Sequence, residues 1–211
     1  MDPEHPIQVA PQHYAFDRYD DIERWASYWY QIRAALRLAP RTVLEIGSGT
    51  GVFRSYLRNA GVTVMSADID SSRSPDFVAD VANLDEGLPP GLTFDLVAAF
   101  QVLEHLPMAD FDRCLAGMAR RSAGFALVSL PKPGFQVRLS FAVGALHGSV
   151  GYRVPRPWKP PIPEHRWELG PGHTVRAVTR VMDRHFEVVE RFTIPENPYH
   201  VMWVLKTRRG A

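Results

Sequence analysis

The sequence predicts an α/β fold, a mostly parallel sheet flanked by helices with one reversed strand near its edge, and three stretches lead to that reading. Val43-Leu44-Glu45-Ile46 is an apolar β-type run that breaks into Gly47, Gly49 and Gly51, and Val52 to Asn59 then take helical spacing. A strand therefore passes through a tight turn into a helix. Phe94 to Phe100 is almost wholly apolar, as a parallel strand covered by helices on both faces must be. Phe186 to Ile194 and His200 to Thr207 alternate on either side of Pro195-Glu196-Asn197-Pro198-Tyr199, and so short a connection joins antiparallel strands.

The other elements follow in chain order. Residues 1 to 16 hold Pro3, Pro6 and Pro11 without periodicity and read as an arm or strap. From Asp17 to Leu38, the residues Tyr19, Ile22, Trp25, Trp29, Ile32 and Leu36 recur at three- and four-residue steps, one face of a helix that Pro40 ends. After the glycine turn, Gly61 stops the next helix, and a second strand through Ala67 finishes at Asp68. Asp76 to Val81 reads as a short third strand, and Asp85 to Gly91 as a turn-rich connector. The fourth strand runs into Gln101-Val102-Leu103-Glu104-His105-Leu106. Met108, Phe111, Leu115 and Met118 give helical spacing between Pro107 and Arg121, Phe125 to Leu130 is a fifth strand, and His173 to His185 is the last helix. The organisation expected is an arm and covering helix over 1–40, a core over 41–130, an insertion over 131–172, and a helix plus hairpin over 173–211 that complete the same domain.

Composition narrows the function classes. Lys+Arg 24 against Asp+Glu 23 leaves a formal charge of +1, so no overall basic field points to nucleic acid, although a local patch is compatible with it. The first residues show no signal-peptide pattern and no apolar run reaches transmembrane length, so a cytoplasmic protein is expected. The single cysteine, Cys114, lies on the apolar side of a helical pattern and reads as a core residue.

Glycines in a strand-to-helix turn let the backbone approach a ligand closely, and the free N–H groups that open the helix can take an anionic group. In the dinucleotide fingerprint the last glycine comes later than here, and Val52 stands where that fingerprint packs helix on strand, which weighs against an NAD(P)-dependent oxidoreductase. The combination of Glu45, the turn Gly47, Gly49 and Gly51, and Asp68 at the end of the next strand resembles instead the first motif of class I S-adenosylmethionine-dependent methyltransferases. Leu103-Glu104-His105 is similar to that family's motif after the fourth strand. The resemblance implies a Rossmann-like, seven-stranded sheet with one antiparallel strand, S-adenosylmethionine as cofactor, and transfer of its methyl group to an acceptor.

It also implies roles by position. Glu45, Gly47, Ser48, Gly49 and Gly51 would hold the nucleoside side of the turn and the methionine end. Asp68, followed by Ile69, would accept the ribose hydroxyls, with Asp70 a competitor for that role or for a helix cap. Asp80 and the backbone of Val81 would meet the adenine, and Gln101 would line the wall beside the methyl group. Tyr19, Arg24, Tyr28 and Trp29 of the first helix could line the mouth. Some relatives bind a divalent metal through an acid at the position of Gln101 together with the glutamate and histidine that follow; glutamine is an inferior ligand, so no metal is expected.

The Pro-rich insertion follows a strand's carboxyl end, where α/β enzymes gather their substrate loops, and reads as a lid over the acceptor. Within it Phe135 to His147 could form an amphipathic helix. His165 is the first candidate for a general base and His105 the second, whereas Trp167 could stack on an aromatic acceptor or pin the lid. The acceptor is unidentified: a small molecule is favoured, Arg138, Arg153, Arg156 and Arg166 would suit an anionic one, and nucleic acid remains compatible. A non-catalytic, cofactor-binding partner subunit is the alternative of a different class. The sequence sets no oligomeric state.

Overall fold

The computed structural model describes Phe16, residues 20–154 and residues 163–208. The N-terminal arm, Tyr19 and the Pro-rich stretch 155–162 with Arg156 lie outside the described residues. Helix α1 spans Ile22–Arg37, and the Asp21 carboxylate caps it by accepting the Arg24 backbone N–H at 2.6 Å. Strand β1, Thr42–Ile46, leads through the glycine turn into α2, Val52–Asn59, and β2 runs Thr63–Asp68. Strand β3 is only Phe77–Val78, shorter than the 76–81 expected. Asp80 lies past its end and caps a 3-10 turn, because its side chain accepts the Ala82 N–H at 2.9 Å and turns the chain out of the sheet. Strand β4 is Phe94–Phe100, α3 Phe111–Arg121 and β5 Ser122–Pro131.

The main sheet has seven strands in the order β3-β2-β1-β4-β5-β9-β8, with β8 at Phe186–Thr193 and β9 at His200–Thr207 after helix α4, Val175–His185. Pairing is parallel from β3 to β5, while β9 runs antiparallel to both β5 and β8. The reversed strand thus sits one place from the edge.

Alternation along the strands divides the core into two layers. Val43, Leu96 and Leu127 face Phe53 and Leu57 of α2 and Ala35 of α1. Their neighbours Leu44, Val97 and Val128 face Phe111, Leu115 and Met118 of α3 and Met182 of α4 on the other side. Each fully buried leucine in these layers contributes about 1.5–3 kcal/mol. Cys114 is fully buried in the second layer, and burial pushes its thiol up to about 12, so it is an inert packing group.

Between β5 and α4 the structure overturns one expectation. The stretch from Phe135 is a hairpin, β6 at Phe135–Val143 and β7 at Leu146–Val154, paired antiparallel in a two-stranded sheet of its own. Val137, Leu139, Phe141 and Val143 recur at period two, which suits a strand and would scatter around a helix, and Gly144 at φ 58° supplies the tight turn. Among the described residues no helix is long and apolar enough to cross a membrane.

Candidate active site

Strand order reverses between β1 and β4, and a crevice opens at that point beyond their carboxyl ends. The turn after β1 forms its floor. Gly47 has φ 75°, and a Cβ added there would lie 2.4 Å from Val102 Cγ2, so only glycine fits against the loop that follows β4. The Ser48 N–H donates to Asp68 Oδ2 at 2.8 Å, which ties the turn to the end of β2, and Asp68 Oδ1 accepts the Asp70 N–H at 2.9 Å. Asp70 itself caps the 3-10 turn Ser71–Arg73 by accepting the Ser72 N–H. Of the two aspartates, the one beside the glycine turn is therefore Asp68.

The crevice is an open cleft lined by Glu45, the turn from Gly47 to Gly51, Phe100 and Gln101, together with Arg24, Tyr28 and Gln31 of α1. Tyr28 is anchored to the turn by a 3.0 Å hydrogen bond with Thr50 Oγ1. Trp29, expected at the mouth, instead carries the Arg33 guanidinium 5.0 Å over its ring and is half exposed. Glu45 Oε2 is buried without a hydrogen-bond partner, and burial pushes the carboxyl up to about 8, opposed by Arg54 and reinforced by Asp68. Gln101 adopts φ 58°, and its side-chain amide donates to Ser129 Oγ at 3.1 Å, so it is held toward β5. Ile69 is half-buried, and Val81 buries its side chain beside the Asp80 cap, at the far end of the same sheet edge.

A second group of residues stands next to the cleft. The strap from Glu164 to Leu169 is stitched to the loop after β4: the Arg166 N–H donates to Glu104 O at 2.8 Å, the Trp167 indole N–H to Leu106 O at 3.1 Å, and the Leu169 N–H to Pro131 O. Trp167 is buried with its ring edge-on to Phe111, which settles it as the pin of the strap. His105 Nδ1 lies 2.9 Å from the Glu164 carbonyl, which can only accept, so that nitrogen carries the proton. His165 Nδ1 lies 2.7 Å from Glu168 Oε1, which also accepts the Tyr199 hydroxyl at 3.1 Å. The two imidazoles meet edge to face, centroids 5.0 Å apart.

Glu104 lies in the same place, fully buried with neither carboxylate oxygen hydrogen-bonded. Burial pushes it up to about 8; the residue's own backbone N–H nearby opposes the rise, Glu168 adds to it, and Arg24, which lines the cleft, opposes it more weakly. Glu104, His105 and His165 each offer one ligand atom, all within 4.8 Å of one another. The expectation of too few metal ligands counted only the loop at 101–105, and the strap supplies a third donor. Glu168 and Tyr199 were not singled out from sequence. His165-x-x-Glu168 is readable as an adjacent pair, but the Tyr199 contact comes from the β8–β9 connection and leaves no local signal.

The profile of the methyltransferase-domain family matches residues 13–165, most of the chain, and takes in the glycine turn, Asp68 and the Glu104-His105 loop. The chain belongs to the methyltransferase-domain family, within the class I S-adenosylmethionine-dependent methyltransferases. A probable S-adenosylmethionine-dependent methyltransferase of Mycobacterium tuberculosis is 35% identical to this methyltransferase domain over 138 residues, 59% of this chain and 47% of that protein. The chain thus spans about half the length of the curated relatives it matches. The N-methyltransferase NodS of Bradyrhizobium japonicum, solved with S-adenosyl-L-homocysteine, superposes with a TM-score of 0.61 at 15% identity over 92% of each chain. The glycopeptide N-methyltransferase MtfA, also solved with S-adenosyl-L-homocysteine, gives 0.58 at 16% over 90% of this chain and 91% of that one. At those identities the likeness is one of fold, and it agrees with the sheet order of this methyltransferase domain.

Proposed function

We propose that this chain transfers the methyl group of S-adenosylmethionine to the oxygen of a small acceptor, with His165 taking the acceptor's proton. The observation that carries the reading is the cleft at the β1–β4 switch point, floored by a turn that only glycine fits and walled by the unpartnered Glu45 carboxyl. Backbone N–H groups of Ser48 to Gly51 would receive the carboxylate of the methionine end, and Glu45 would face its ammonium. Asp68 uses one lone pair of each oxygen on a backbone N–H, and the remaining lone pairs suit the ribose hydroxyls. Ile69, Asp80 and Val81 would flank the adenine.

The chemistry asks for alignment more than for acid–base work. An acceptor lone pair forms the new bond to carbon while the S–C pair stays on sulfur, which leaves as a neutral thioether and needs no proton. A hydroxyl acceptor must lose its proton, and Glu168 fixes His165 with Nδ1 protonated, which leaves the Nε2 lone pair to take it. Incubation with methyl-labelled S-adenosylmethionine and panels of hydroxyl, phenol, carboxylate and amine acceptors tests this. Transfer to hydroxyl acceptors that His165→Ala lowers at least 10-fold, with cofactor affinity kept, supports it. Tight cofactor binding with no transfer to any panel favours the non-catalytic subunit instead, and binding of NAD in place of S-adenosylhomocysteine favours the oxidoreductase.

The unpartnered oxygens of Glu104 favour a second reading of the same cluster. One carboxylate and two imidazoles whose Nδ1 atoms are held by oxygen acceptors suit a divalent transition metal. Glu104, His105 and His165 would hold it, and a bound metal would supply Lewis acidity toward an acceptor oxygen. Chelator treatment separates the two: activity that survives it belongs to the His165 base, and activity that needs added metal belongs to the metal.

A further inference from the structure

We infer that the β6–β7 hairpin is a self-association arm whose apolar face packs on the same face of a second copy of this chain. Residues directly opposite in an antiparallel pair share a face. The register sets Leu139 against Val150, Phe141 against Gly148 and Val143 against Leu146, and the same face continues from Phe135 to Val154 at the base. Every described side chain on it is apolar, and the central and tip residues are the most exposed: Leu139 is 72%, Val143 73%, Leu146 67% and Val150 68% accessible. Phe141 lies across Gly148, where an added Cβ would sit 2.6 Å from its ring, so the aromatic covers the gap that the glycine leaves and the face stays continuous.

A lone two-stranded hairpin is marginal in water and is stabilised by having one face covered. Among the described residues the two strands pair only with each other, in a sheet separate from the seven-stranded one. The exposed apolar side chains amount to on the order of 900 Å² per copy, about what each partner gives to a standard protein interface. The face runs over nine unbroken residue pairs, roughly 30 Å of strand, without a bulge. A two-fold axis through its middle lays one apolar rectangle on another as a four-stranded sandwich, an isologous contact that closes on itself. A face without charge needs no charged complement, and its own copy supplies the same shape and chemistry. A lipid surface is the poorer occupant, because the sequence from Phe135 to Val154 has Arg138 and Arg153 but no lysine, short of the basic cluster that draws a segment to anionic lipid.

Sedimentation velocity over a concentration series tests the arm, with Leu139→Lys as the perturbation and S-adenosylhomocysteine affinity as a check that the core is folded. The expected result is a species of twice the 23.8 kDa chain mass for the unaltered protein, and a rise in dimer Kd of more than about 100-fold in the variant. A Leu139→Cys variant should also join copies through a thiol-reactive bismaleimide, because the native Cys114 is buried away from the reagent. A monomer at all concentrations, a dimer indifferent to Leu139→Lys and without the cross-link, or a monomer that binds phosphatidylglycerol vesicles through this face would each overturn the inference.

Discussion

Glu45→Gln should make the protein more stable at alkaline pH and leave it nearly unchanged at pH 5. The carboxyl is buried at the end of β1, and burial raises it from 4.5 to about 8. Because the folded-state value lies above the unfolded one, the folded chain binds the extra proton between those pH values, and stability falls as pH rises from about 4.5 to about 8. At about 1.4 kcal/mol per pH unit the full shift corresponds to a ceiling of roughly 4–5 kcal/mol, which water reaching the open cleft reduces to about 2–3 kcal/mol. Glutamine has the shape of the protonated acid without its titration. Urea unfolding of both proteins at pH 5 and pH 9 isolates the effect, since every other titrating group is common to the two. The gap between variant and parent should widen by about 2–3 kcal/mol from pH 5 to pH 9. An equal gap at the two pH values would refute the placement of an uncompensated acid in this cleft.

Gly47→Ala should cost about 2–4 kcal/mol by thermal or chemical unfolding, because a φ of 75° and a contact 2.4 Å from Val102 Cγ2 both act against the methyl group; a loss under 1 kcal/mol would mean the turn relaxes freely. Glu168→Gln should lower kcat for hydroxyl acceptors about 10- to 100-fold with the KM for S-adenosylmethionine unchanged, since it removes the carboxylate on His165 Nδ1 without touching the cofactor cleft. An unchanged kcat would take His165 out of the proton transfer.

The parts of the fold that sequence makes legible are those with a short period. The antiparallel β8–β9 hairpin, the apolar run of β4 and the glycine turn appear in the structure as expected, because neighbours in sequence determine them. The β6 stretch alternates where β9 is continuously apolar, and its period of two with Gly144 as the turn marks a hairpin over 135–154 rather than the helix expected over 135–147. The candidate site was half legible. Glu45, the glycines and Asp68 lie within one βαβ unit, so their spacing carries them. Glu104, the His165–Glu168 pair and Tyr199 come from three separate segments, the loop after β4, the strap and the β8–β9 connection, and what sets their chemistry is burial, which a linear pattern does not encode. The partial third strand shows the same limit, since Asp80 serves as a cap through a side-chain hydrogen bond that competes with the sheet.

The central claim is that the cleft at the β1–β4 switch point holds S-adenosylmethionine, and calorimetric titration with S-adenosylhomocysteine on the unaltered chain and on Asp68→Ala addresses it most directly. The account predicts saturable binding near micromolar Kd, weakened at least about 30-fold in the variant through loss of the ribose contact and of the Ser48 tether. A folded protein that takes up no S-adenosylhomocysteine, or an Asp68→Ala variant that binds it as tightly as the parent, would contradict the account.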